Sequence, residues 1–156
     1  MKEFQDPGTI QKIVLNARNV AIVGLSASEL RASNFVGYYL QRHGYRVIPV
    51  NPNEEHVLGE PVYPSLRDVP ERIDVVDVFR DPAAVPDIAR ESVEVGAGAL
   101  WLQFGVISPE GAQIARDGGL AVVMDRCLKV EHARLLGRMH WMGFDTGVIA
   151  GSRQPS

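Results

Sequence analysis

The sequence predicts an α/β protein, a Rossmann-like, doubly wound parallel sheet of five strands with helices on both faces. Three observations predict it. Five short apolar runs alternate with segments whose apolar residues recur at helical spacing, the pattern of a parallel sheet with helical crossovers. The first run, VAIVG (20–24), is continuously apolar rather than alternating, as expected of a strand buried on both sides. The first run also ends on Gly24, and small polar residues lead from it into a helix, the layout of a nucleotide-phosphate loop. Right-handed crossovers then give a strand order of 3-2-1-4-5.

In chain order, Asp6-Pro7 caps a first helix whose Ile10, Ile13 and Val14 share one face. VAIVG (20–24) is the first strand. Phe35, Val36, Tyr39 and Leu40 repeat at helical spacing between Ser33 and His43, and Gly44 ends that helix. YRVIPV (45–50) is the second strand, and Pro49, lacking an N–H, requires an edge or a strand end. The polar stretch Asn51 to Leu66 holds Pro52, Pro61 and Pro64 and reads as a long loop. DVVDVF (74–79) is the third strand, and a helix over Ala83–Val95 closes on Gly96. ALWLQF (99–104), a short helix over Pro109–Arg116, LAVVMD (120–125) and a last helix over Val130–Met142 complete the pattern. A single domain over 1–147 is expected, with 148–156 as a flexible tail.

Composition sets limits on function. Of 156 residues, 46% are hydrophobic and 22% charged, enough to bury a core. The net charge of −3, without a lysine or arginine cluster, argues against a nucleic-acid partner. No run reaches the roughly 18 apolar residues of a membrane span, so no membrane partner is expected. One cysteine, Cys127, excludes an internal disulfide framework, and a reducing, cytoplasmic location is the simpler expectation.

In doubly wound sheets, ligands sit at the carboxyl ends of the strands where the winding reverses, here expected between strands one and four. The segments at that edge are Gly24–Ser33, Asn51–Pro52, Phe79–Arg80, Gln103–Gly105 and Asp125–Cys127. In the first, Ser26 takes the second glycine position of the dinucleotide fingerprint and Glu29 the last. Ser26 and Ser28 are small enough to let a phosphate approach, and their hydroxyls can donate to it. Arg31 adds charge, and Ser33 is a natural N-cap for the helix that follows. The second strand ends in Asn51-Pro52, with no carboxylate at its tip to bind a ribose diol. That weakens a dinucleotide reading. A phosphorylated ribose, such as that of coenzyme A, avoids an acid at this place.

VAIVGLSASELRASNFVGYYLQRHGYRVIPVNP, LWLQFGV and MDRCLKVEH, in this order, resemble the small stand-alone CoA-binding proteins. These are similar to the CoA-binding domain of the succinyl-CoA synthetase α subunit and of acyl-CoA synthetases. The resemblance covers residues 5–145. It implies that CoA or an acyl-CoA binds at the switch crevice. Gly24, Ser26, Ala27 and Ser28 would lie along the diphosphate, and Asn51 and Pro52 near the adenosine. Phe79 and Arg80 would border the adenine, and Leu102, Gln103 and Phe104 would flank the pantetheine. Glu54 stands where a ligase of this type can have a basic residue, so Arg80 is the expected contact for the 3′-phosphate.

The synthetases also need a domain with a phosphorylated histidine and a nucleotide-grasping domain. His43, His56, His132 and His140 lie in none of the edge segments, so a complete ligase is not expected of this polypeptide alone. No catalytic residue is assigned, and the expected role is to sense, carry or present CoA. The alternatives are a small NAD(P)-dependent oxidoreductase, a CoA-binding subunit of a multi-subunit acyl-CoA ligase, and an interaction module.

Other residues have two readings. Cys127 suits thiol chemistry, such as a mixed disulfide with CoA, but the simpler reading is a small, partly buried residue. Cys127, His132 and His140 match no zinc spacing, and the two histidines are expected on the helix surface, so no metal is expected. Asp74 and Asp77 face opposite sides of a strand and make no catalytic pair, leaving strand-end solvation as their expected role. Trp101, Trp141, Met139 and Met142 suit core packing, with a homo-oligomer interface as the other reading.

Overall fold

The computed structural model describes residues 3–141, without the side chain of Trp141. The tail expected at 148–156, and Met142, lie outside the described residues. Asp6 accepts the Thr9 N–H at 2.8 Å and opens helix α1 (Pro7–Asn16), with Pro7 in the first turn where no N–H is needed. Strand β1 (Asn19–Val23), helix α2 (Ala32–Arg42) and strand β2 (Arg46–Val50) follow. The stretch read as one long loop contains a small hairpin, β3 (His56–Val57) and β4 (Glu60–Pro61), and then a turn of 3-10 helix at Leu66–Asp68. Next come β5 (Val75–Val78), a 3-10 turn at Pro82–Ala84, and α3 (Val85–Glu94). Strand β6 (Ala99–Leu102), α4 (Pro109–Asp117), β7 (Ala121–Met124) and α5 (Leu128–Trp141) complete the described chain.

The main sheet is wholly parallel, in the order β2-β1-β5-β6-β7. The fold class is the one predicted, but the strand order is not. Counting only the strands of this sheet, it is 2-1-3-4-5 rather than 3-2-1-4-5. The third pairs with the first, Val20 opposite Val75, instead of lying outside the second. Pro49 explains the difference. It offers no N–H to a further strand, and the outer edge of β2 is already taken by Tyr63. The Tyr63 N–H donates to the Pro49 carbonyl at 3.0 Å, and the Asn51 N–H donates to the Tyr63 carbonyl at 2.9 Å. The winding therefore reverses between β1 and β5, and the switch crevice opens there.

Each face of the sheet carries its own core. Ala21, Ile48, Val76, Val78, Leu100 and Leu102 point to the face covered by α3 and α4, where Val85, Ala89, Ala112 and Ala115 meet them. Val20, Ile22, Val47, Val75, Trp101 and Val123 point to the other, packed by Ile10, Val14, Val36, Leu40, Leu128 and Leu135 of α1, α2 and α5. Trp101 is fully buried and its Nε1 donates to the Arg126 carbonyl at 2.8 Å; Met139 packs against the same core. Both follow the packing reading.

Two expectations about polar residues fail. His132 is not on the surface: it is buried, with its Nδ1 2.9 Å from the Tyr39 hydroxyl and with the rings of Tyr39, His43 and Tyr45 around it. Asp77 is not solvated: it sits in mid-β5, in register between Ile22 and Trp101. It is fully buried, and neither carboxyl oxygen has a hydrogen-bond partner. Burial pushes its carboxyl well above the usual carboxylate range. Asp74 instead accepts the backbone N–H groups of Arg18 and Asn19 at 3.0 and 2.9 Å at the base of β1.

Candidate functional site

The five segments expected at the carboxyl edge do gather there, around three adjoining cavities. The middle one, about 350 Å³, is lined by Gly24, Ser26, Arg31, Ala32, Ser33 and Phe79. Gly24 makes the turn out of β1 with φ +90°, and a Cβ there would lie 2.4 Å from the Phe79 carbonyl oxygen. Only glycine fits that turn and that approach.

The loop after Gly24 is held by its own polar groups. The Ser26 N–H donates to Ser33 Oγ at 3.0 Å, the Ser28 N–H to Ser26 Oγ at 3.1 Å, and the Ala27 N–H to Glu54 Oε2 at 2.9 Å. A hydroxyl that accepts a bond keeps its own hydrogen to donate, so Ser26, which lines the cavity, remains a donor there, whereas Ala27 and Ser28 line none of the three cavities. Ser33 is not the N-cap. Arg31, extended at φ −91° and ψ 141°, holds that position, and Ser33 is buried as the second residue of the helix, where it ties the loop to it. Arg31 makes no side-chain capping bond, so the positive end of α2 faces the cavity uncapped.

Asn51 is a brace at the β2 tip: its Nδ2 donates to the Leu25 carbonyl at 3.1 Å and its Oδ1 accepts the Asn53 N–H at 2.9 Å. Pro52 and Arg80 line the smallest cavity, about 110 Å³, together with Val50, Leu66 and Ile88. Arg80 is exposed and borders the largest cavity too.

That largest cavity, about 640 Å³, joins the middle one at Ala32 and Phe79. Val36, Phe79, Phe104 and Val130 give it apolar walls, with Gln103, Arg126, Cys127 and Glu131 among them. Gln103 is 5% exposed and its amide oxygen has no partner; Arg126 Nε is likewise buried without one. Asp125, at φ +62°, accepts the Gly105 N–H at 2.8 Å and fixes the turn beside Phe104. The Tyr39 phenol, on the α2 side, is pushed up by burial and then by the nearby Cys127.

Leu102 lies elsewhere. It is fully buried on the α3–α4 face and lines none of the three cavities; only its carbonyl, accepting the Asp125 N–H at 2.8 Å, supports the edge. Sequence reasoning missed Val130, Glu131 and Arg134, whereas Arg126 falls in an expected edge segment, without an assigned role. Starting the last helix at Val130 hid them. With α5 beginning at Leu128, residues 127, 130, 131 and 134 follow one helical stripe.

The CoA binding domain family matches residues 18–133, from the entry to β1 into α5. The chain belongs to that family. YneT of Bacillus subtilis (strain 168), an uncharacterized protein, is 38% identical over 124 residues, covering 80% of this chain and 92% of its own. Acetate–CoA ligase [ADP-forming] I of Archaeoglobus fulgidus is 34% identical over 102 residues, covering 63% of this chain but 15% of its own. A hypothetical protein from Pyrococcus horikoshii OT3 superposes with a TM-score of 0.82 at 37% identity, over 88% of this chain and 100% of that one. This CoA-binding domain is thus related both to small proteins of its own size and to one segment of much larger ligases. Among the described residues, no helix is long and apolar enough to cross a membrane, and no His, Cys, Asp or Glu cluster suits a metal ion.

Proposed function

We propose that the protein binds coenzyme A or an acyl-CoA along the switch crevice and catalyses no reaction of its own. One observation carries this reading. In a chain of the CoA-binding domain family, the uncapped N-terminus of α2 opens on a polar cavity that is continuous with a larger apolar one. A CoA molecule needs that sequence of environments: a positive helix end and hydroxyls for its diphosphate, then an apolar channel for its pantetheine. On this reading Gly24, Ser26, Ala27, Ser28, Arg31 and Ser33 surround the diphosphate. Asn51, Pro52 and Arg80 border the adenosine, with Arg80 the charge nearest its 3′-phosphate. Phe79, Gln103 and Phe104 flank the pantetheine.

Calorimetric titration with CoA, acetyl-CoA, desphospho-CoA, NAD and NADP, side by side, tests it. CoA binds and NAD does not; NAD binding with CoA inert sinks the reading. An oxidoreductase is disfavoured because the Asn51 amide is occupied by Leu25 and Asn53, and the Glu54 carboxylate, just past the β2 tip, is turned onto the Ala27 N–H. The ligase-subunit reading rests on the similarity to the ADP-forming acetate–CoA ligase. It requires CoA-dependent association with a nucleotide-grasping subunit, which sedimentation of the mixture detects.

A further inference from the structure

We propose that Cys127 captures coenzyme A disulfides, forming a reversible mixed disulfide with the CoA sulfur inside the large cavity. The inference rests on the CoA reading above. Cys127 is the chain's one cysteine, its thiol is free and half-buried, and it lines that cavity. The second observation is Gln103. Its side chain lines the same cavity, it is 5% exposed, and its amide oxygen has no hydrogen-bond partner. A buried amide oxygen left without a donor is costly, and a ligand that brings an N–H relieves it. The pantetheine arm carries two amide N–H groups on an otherwise apolar chain and ends in sulfur. Val36, Phe79 and Val130 give that chain apolar walls. The cavity joins the phosphate cavity at Ala32 and Phe79, so an arm leaving a diphosphate there runs into the space that holds both Gln103 and Cys127.

The step is thiol–disulfide exchange. The Cys127 sulfur, as thiolate, attacks the CoA sulfur of a disulfide between CoA and a second small thiol. A bond forms between the two sulfurs and the original S–S bond breaks. The second thiol leaves as a thiolate and takes up the proton Cys127 gave away. The disulfide is the only oxidant required, and an incoming small thiol reverses the step.

The test uses the full chain and symmetrical CoA disulfide, followed by intact-protein mass spectrometry. The expected product is heavier by one CoA less two hydrogens, is reversed by dithiothreitol, and does not form in Cys127→Ser. It forms about tenfold faster than the adduct with oxidised glutathione at equal concentration, because binding holds the reacting sulfurs together. Gln103→Leu slows the CoA reaction about fivefold, the worth of one neutral hydrogen bond, and leaves the glutathione reaction unchanged. In parallel, wild type is titrated with reduced CoA. Binding of reduced CoA without an adduct, or equal rates for the two disulfides, overturns the proposal and leaves the CoA reading standing. Binding of neither overturns both.

Discussion

The two ends of the crevice differ in how their polar groups are satisfied. At the phosphate end, the N–H groups of Ser26, Ala27, Ser28 and Leu30 all have acceptors within the protein: Ser33, Glu54, Ser26 and Ser28. At the far end, the Gln103 oxygen and Arg126 Nε have none, and Phe104 stands 74% exposed at the rim. The phosphate end is therefore a shape held by its own bonds, and an anion gains there from charge, the helix end and spare hydroxyl hydrogens. The far end is apolar space with unsatisfied polar atoms, and a ligand gains there by covering the walls and supplying partners.

The sharpest break in this comparison is Gly24→Ala. It forces a side chain into a left-handed turn and against the Phe79 carbonyl. The expected loss is about 3 kcal/mol of unfolding free energy, measured by urea denaturation. A loss below about 1 kcal/mol would show that the phosphate end yields easily and is not held in shape. Next is Ser26→Asp. The carboxylate can still accept the Ser28 N–H, so the fold survives, but it meets the diphosphate with like charge. CoA affinity falls by about 2 kcal/mol, roughly thirtyfold, by calorimetry. Unchanged affinity would move the diphosphate away from this loop.

Asp77 lies in β5 between Ile22 and Trp101, two residues before Phe79, which follows the strand and lines the large cavity. Its buried carboxyl holds its proton more tightly in the native state than in the unfolded chain. This contribution to stability is thus complete below the unfolded carboxylate range, about pH 4, and is lost as pH rises toward the raised native value. Asp77→Val removes that slope and adds about 1–2 kcal/mol at neutral pH, since a buried polar group without a partner disappears. Urea unfolding of both proteins between pH 4 and 8 checks it; parallel curves would mean that Asp77 does not titrate on unfolding.

The fold was readable where a local rule was enough. Continuous apolar runs mark buried strands, and Asp6-Pro7 marks a helix start. Strand order was not readable from alternation alone, because alternation does not say on which side of β1 the third sheet strand lies; Pro49 carried that information, as its blocked edge turns the strand away. The edge segments followed from topology and so were found before any side chain was placed. Roles within them were not, since they depend on contacts across the sequence. Ser33 binds seven residues back, Glu54 reaches 27 residues back, and Asn51 reaches 26 residues back to Leu25. Asp77 looked like a solvated strand residue because charge alone does not reveal that four-residue β5 is buried throughout.

The smallest expected effect concerns Glu54, and it tests whether the phosphate end is merely held in shape or also guarded. Glu54 is half-buried, and its carboxylate accepts the Ala27 N–H at 2.9 Å, beside the place proposed for the diphosphate. A carboxylate there does two things. It satisfies a loop amide, which favours the shape, and it repels an incoming anion, which opposes binding. Glu54→Gln separates them, because the amide oxygen still accepts from Ala27 while the charge is gone. Stability should change by less than about 0.5 kcal/mol. CoA affinity should rise about threefold, below 1 kcal/mol, because the two charges meet close to solvent where water screens them. The gain should shrink in high salt, as screening already weakens the repulsion. A fall in affinity would mean that the carboxylate, and not only an acceptor, is needed to hold the loop open. An equal gain for desphospho-CoA locates the repulsion at the diphosphate, whereas a gain confined to CoA would move it to the 3′-phosphate and place the adenosine end beside Glu54.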